Sequence, residues 1–224
     1  MYEPQEGKTM MRTLKMLAVL LVAMPVAAHA AVVYENPWNS AAGDAGAFAQ
    51  ANQRLAGEFV LSAAATVGRA TWHGTMFSAD PLNTGDTWNF DVLFFSDGAG
   101  NLPGALLASA SIVASVTDTG IDIQGERSYL FDASFAGVGL SAGVSYWFSV
   151  QNTGNQDTFR WTEATSGLDS ALSRGGGPWE TWTEEARTPV NFGLHDDAAA
   201  APEPATLALL GLGLLAAAAI RRKH

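Results

Sequence analysis

Gly139-Leu140-Ser141-Ala142-Gly143 has the G-x-S-x-G spacing that presents a nucleophilic serine. That chemistry needs a strand before the serine, a helix after it, and a histidine base within reach. Between residues 31 and 200 the only histidines are His73 and His195. A strand, Val144–Gln151, is expected after Gly143, and nothing upstream reads as a hydrolase sheet. The motif is therefore expected to be a turn entering a strand.

Two histidines alone cannot complete a zinc site, which takes three or four ligands. Asp97, Asn101, Asp118 and Asp122 sit in loops beside glycines. Oxygen-rich loops of this type can hold calcium, but no stretch has the EF-hand spacing. The expectation is solvated turn residues and no cofactor, with calcium the one ion these side chains could take. Paired carboxylates for glycoside cleavage must face each other across a cleft, and no such pair can be picked from spacing.

Seven tryptophans fall between residues 31 and 200: Trp38, Trp72, Trp88, Trp147, Trp161, Trp179 and Trp182. An exposed indole can stack on a sugar face, and a buried one is ordinary core. Core or sheet packing is the expectation for each; Trp161, Trp179 and Trp182 are the ones best placed for the alternative, exposed and ligand-binding. Arg160, Glu163, Glu180 and the glycine run Gly175-Gly176-Gly177 surround them.

Short strands would have to position these residues. Trp88–Phe95 alternates Trp88, Phe90, Val92 and Phe94 on one face, a half-buried strand of period two. Leu55–Leu61, Val67–Phe77, Leu106–Val116, Arg127–Phe135, Phe159–Glu163 and Pro189–Leu194 read likewise, and Val144–Gln151 alternates Tyr146, Phe148 and Val150 against Trp147. The breaks between them are rich in turn formers, such as Asp80-Pro81-Leu82-Asn83-Thr84-Gly85 and Asn101-Leu102-Pro103-Gly104. Asp44–Gln53 reads as a short helical turn. Eight to ten strands without intervening helices predict an all-β, antiparallel β-sandwich or jelly roll over residues 31–200.

The chain's 22 acidic residues include three outside that span (Glu3, Glu6 and Glu203), leaving 19. Of 12 basic residues six lie outside it, leaving 6 and a domain charge near −13. It contains no lysine. A phosphate backbone would be repelled, so no nucleic-acid partner is expected. Cysteine is absent, so the core must suffice without disulfides.

Both ends read as export signals. Arg12 and Lys15 precede the apolar run Leu17–Val26, and Ala28-His29-Ala30 is an Ala-x-Ala cleavage pattern that would leave Ala31 first. Residues 1–30 are thus expected to be a signal peptide, whose start could equally be Met10 or Met11. Residues 201–224 place Pro202-Glu203-Pro204 before an uncharged run, Ala205–Ile220, and a basic stop of Arg221, Arg222 and Lys223. A helix over those sixteen residues would span about 24 Å, short for a bilayer core of about 30 Å. Snorkelling arginines could extend it, and the basic end would stay cytoplasmic.

This tripartite tail resembles the PEP-CTERM sorting signal. The resemblance implies an exosortase-type membrane protease as partner, besides signal peptidase and the secretion machinery. It implies an inner-membrane intermediate and a final place at the cell surface or outside the cell. Residues 31–200 also resemble a surface-domain type often found ahead of such tails. The matching stretches are Leu55-Ala56-Gly57-Glu58-Phe59, Thr71-Trp72-His73-Gly74, Phe94-Phe95-Ser96-Asp97 with Gly100-Asn101-Leu102-Pro103-Gly104, and Ser145-Tyr146-Trp147-Phe148. This second resemblance carries no catalytic residues.

The expected function is that of a non-catalytic surface or matrix protein associated with exopolysaccharide or biofilm. The alternative is a carbohydrate-binding module, and a secreted hydrolase ranks third.

Overall fold

The computed structural model describes residues 30–41, 47–48, 53–76, 88–154, 159–174, 182–185 and 189–196. The expected signal helix, transmembrane helix and sorting tail lie outside these residues. The described chain falls within one compact unit, Ala30–Asp197.

Every described element is a strand. They are β1 (Val32–Asn36), β2 (Ala47–Phe48), β3 (Gln53–Val60), β4 (Ala65–Met76), β5 (Trp88–Asp97) and β6 (Pro103–Ile123). Then come β7 (Glu126–Leu140), β8 (Ser145–Asn152), β9 (Phe159–Trp161), β10 (Ser170–Arg174), β11 (Thr183–Glu185) and β12 (Phe192–Asp196). All pairings are antiparallel, in the order β1-β12-β4-β7-β6-β5-β8-β3-β10-β11. Strand β9 joins β2 to β4 beside this path. The helical turn expected at Asp44–Gln53 gives way at Ala47–Phe48 to a strand. These two residues find ladder partners in Trp161 and Arg160, which decide the local conformation.

The long strand β6 carries the ladder from one half of the sheet to the other. From Pro103 to Ala114 it pairs with β5, and from Ser115 to Ile123 it pairs with β7. Aromatic rings on β4, β7, β9 and β12 meet rings on β3, β5 and β8. Trp72 contacts Phe90 at 5.1 Å between ring centres, Phe131 contacts Phe90 at 5.2 Å, and Phe192 contacts Phe148 at 4.9 Å. The first two pairs are edge-on, which suits the quadrupoles of the rings, and the third is tilted. The alternation read for β5 holds: Trp88, Phe90, Val92 and Phe94 are all in the main core. A fully buried Phe such as Phe90 contributes on the order of 1.5–3 kcal/mol relative to an exposed one.

The opposite face of β8 supports a second cluster. Trp147 packs there with Ala56, Leu93, Phe95, Ala171 and Trp182. Trp182 meets Phe95 edge-on at 5.5 Å. The two faces of β8 are thus both dry, and seven of its eight residues are buried.

Candidate functional site

Strand β7 ends at Leu140, and the chain turns through Gly143, at φ 68°, into β8. The Ser141 N–H donates to the Tyr146 hydroxyl at 3.1 Å. The G-x-S-x-G stretch is therefore strand, turn, strand. No helix follows the serine to present it as a nucleophile.

His73 on β4 lies in a buried polar network instead. Trp38 stacks flat on its ring, with centroids 4.1 Å apart and planes 9° apart. Its ring Nδ1 lies 3.2 Å from Asn191 Oδ1. The Asn191 amide donates to the Thr162 carbonyl and hydroxyl at 2.6 and 2.7 Å. With Nδ2 so engaged, Oδ1 is the acceptor and His73 Nδ1 carries the hydrogen. Burial pushes the His73 imidazole below its ordinary range, against a smaller upward pull from Asn191. A neutral, ring-stacked histidine holding an asparagine is a structural fixture of this fold.

His195 sits on β12 opposite Arg69 of β4. Arg69 in turn makes a two-pronged ion pair with Asp132 at 2.6 and 2.8 Å. Burial, then the Arg69 charge, lowers the His195 pKa.

The four loop oxygens weighed for calcium are divided between two places. Asp118 and Asp122 flank Arg127, whose guanidinium lies 2.9 Å from Asp118 Oδ1 and 3.2 Å from Asp122 Oδ1. The Gly120 N–H, followed by Arg127, holds the Asp118 carboxyl below its usual range. Asp97 lies at the other end of β6, paired with Pro103. Its Oδ1 accepts the Trp147 indole N–H at 3.3 Å. Asn101, at φ 53°, donates to Asp169 Oδ2 at 2.5 Å and to Glu58 Oε2 at 3.4 Å. Ser145 donates to the other Glu58 oxygen. These carboxylates are already held by an amide and a hydroxyl. Among the described residues no group of three or more His, Asp or Glu side chains is arranged to hold a metal ion.

Two of the three possible ligand-binding tryptophans are corrected to core, the packing expected for each. Trp161 is fully buried, and its indole N–H donates to the Asn191 carbonyl at 2.6 Å. Strand alternation explains this: Phe159 and Trp161 point inward and Arg160 lies between them. Trp182 is only 8 % exposed and completes the second cluster. Neither ring presents an open face to a sugar. Trp179 lies outside the described residues. Among the described tryptophans only Trp38 is not buried, and His73 covers one of its faces.

Glu126 and Arg160 form the most enclosed ion pair among the described residues, 3.0 Å apart with side chains 9 % and 21 % exposed. The Thr75 hydroxyl donates to the second Glu126 oxygen at 2.7 Å. This pair joins β7, β9 and β4, and no pattern in the sequence pointed to it.

No curated protein and no solved structure matches the chain significantly. Residues 200–223 match the family model of the PEP-CTERM protein-sorting motif. The matched span contains Pro202, Glu203 and Pro204, the apolar run, and Arg221, Arg222 and Lys223. The chain therefore carries at 200–223 the PEP-CTERM signal of an exported, exosortase-sorted surface protein.

Proposed function

We propose that this chain is a non-catalytic structural protein of the cell surface or extracellular matrix, associated with exopolysaccharide. The match of residues 200–223 to the sorting motif carries the reading. The acidic, lysine-free domain adds support, because it suits a solvated, cation-rich matrix and repels nucleic acid. The strand-turn-strand setting of Ser141 and the occupied carboxylates of Glu58 and Asp169 favour a structural role over hydrolysis. The ladder folded over an aromatic core supports a β-sandwich.

In this reading the leader is removed after Ala30, and Ala205–Ile220 holds the protein in the inner membrane. The exosortase then acts at Pro202-Glu203-Pro204. Replacing these three residues with alanine in the full chain tests it. The variant should accumulate in the membrane fraction while the wild type reaches the surface or medium. An unchanged distribution would remove the reading.

A further inference from the structure

Asp196 closes β12 and turns back onto the start of β1. Its backbone N–H donates to the Ala31 carbonyl at 2.9 Å, and its Oδ1 accepts from the Ala31 nitrogen at 2.8 Å. Val32 then pairs with His195. An open groove lined by Val32, Ser62, Ala65, Thr66 and Asp196 lies beside this contact. Ala31 is also the residue that follows the Ala28-His29-Ala30 cleavage pattern. A carboxylate therefore rests on the one nitrogen whose chemistry leader removal would change.

We infer that Asp196 is a built seat for the α-ammonium created at Ala31 when the leader is removed. In the uncut chain this nitrogen is a neutral amide with one hydrogen. Signal peptidase breaks the Ala30–Ala31 C–N bond with one water. The hydroxyl goes to the Ala30 carbonyl carbon, which leaves as a carboxylic acid, and the hydrogen goes to the Ala31 nitrogen. The new amine takes a proton from solvent and becomes an ammonium with three donors. The neutral hydrogen bond to Asp196 becomes charge-assisted, which is shorter and roughly twice as strong. Maturation thereby ties the edge strand β1 to β12, the last strand before the sorting motif. The inference rests on the proposed removal of the leader after Ala30 and not on the C-terminal sorting step.

The lysines of the chain are Lys8, Lys15 and Lys223, so the α-amine is the sole primary amine between residues 31 and 200. This makes acylation by an N-hydroxysuccinimide ester a direct probe, with Ala31 and Lys223 separated by peptide mass. The full chain is expressed with its own leader, and the exported protein is isolated. It is compared with Asp196→Asn and with a chain carrying Ser-Gly inserted between Ala30 and Ala31.

The wild-type amine should react several-fold more slowly than in either variant, because pairing holds it as the unreactive ammonium. Its unfolding midpoint should be higher by roughly 1–4 °C, the scale of an exposed ion pair in a domain of this size. In the inserted chain, Asp196→Asn should have no further effect on the acylation rate. Equal rates in all three chains would overturn the inference, as would a wild-type N-terminus other than Ala31. A failure of the C-terminal sorting reading would leave the N-terminal mass and these rates unchanged, so the two are distinguishable.

Discussion

Asn191 Oδ1 accepts two hydrogen bonds from His73, one from its backbone N–H at 2.7 Å and one from its ring Nδ1 at 3.2 Å. The same amide's nitrogen reaches Thr162 O, Thr162 Oγ1 and, at 3.3 Å, the His73 carbonyl. One side chain thus does the work of a ladder strand between β4 and the segment after β9. Asn191 is 1 % exposed and its bonds to Thr162 are buried, so cutting it back would strand buried polar groups. Asn191→Ala should lower the unfolding free energy by about 2–3 kcal/mol, the cost of stranding buried polar groups. Denaturant unfolding with an unchanged midpoint would show that the network is dispensable.

The same network makes stability depend on pH. His73 has a depressed pKa relative to its ordinary 6.5, and His195 is depressed too. Such an imidazole is neutral in the folded chain while the unfolded chain binds a proton. Its contribution is present above the unfolded value and is lost as pH falls through the folded one. Between about pH 7.5 and 5.5 the wild-type midpoint should fall, and His73→Gln should fall less steeply. His195 keeps the same charged neighbours in both proteins, namely Arg69, Asp132, Glu35 and Asp196. Identical slopes would exclude His73 as a source.

The strands that alternate large aromatic with polar residues were legible. Phe90 and Phe94 declare the inward face of β5, and Tyr146, Phe148 and Val150 that of β8. Strand β6 runs on past Val116 to Ile123 through a mostly polar stretch, where hydroxyl and charged side chains hold it. Thr119 donates to the Ser128 carbonyl, and Arg127 reaches Asp118 and Asp122. Strands β1, β10 and β11 were not foreseen, since they are short and lean on existing edges. The charged neighbours of Trp161 are a poor guide to its exposure. The period-two relation to Phe159 was the better guide, since Arg160 between them takes the other side. Nothing in the spacing of Asn101, Asp169 and Glu58 foretells their meeting, which depends on β3 and the segment before β10 coming together.

The burial of Trp161 gives a direct contrast between core and ligand roles. Trp161→Ala should cost about 3–5 kcal/mol of folding stability. It also strands the Asn191 carbonyl that the indole N–H now satisfies. Calorimetry showing a midpoint near the wild type, together with lost polysaccharide retention, would restore a sugar-binding role for this position.

The enclosed pair of Glu126 and Arg160 should be expensive to break from one side. Glu126→Ala leaves the Arg160 guanidinium largely desolvated and the Thr75 hydroxyl without its acceptor. The expected loss is about 3 kcal/mol or more. Replacing both partners with apolar residues should cost less than Glu126→Ala alone. A double variant with the full sum of the two single losses would count against coupling.

The central claim is that the segment matching the sorting motif directs the protein to the surface and is removed on the way. Intact-mass measurement of protein released from the cell surface tests this most directly. The account predicts a chain that begins at Ala31 and ends close to Pro202-Glu203-Pro204, without the apolar run and without Arg221-Arg222-Lys223-His224. Surface material that still carries the intact Arg221-Arg222-Lys223-His224 end would contradict it.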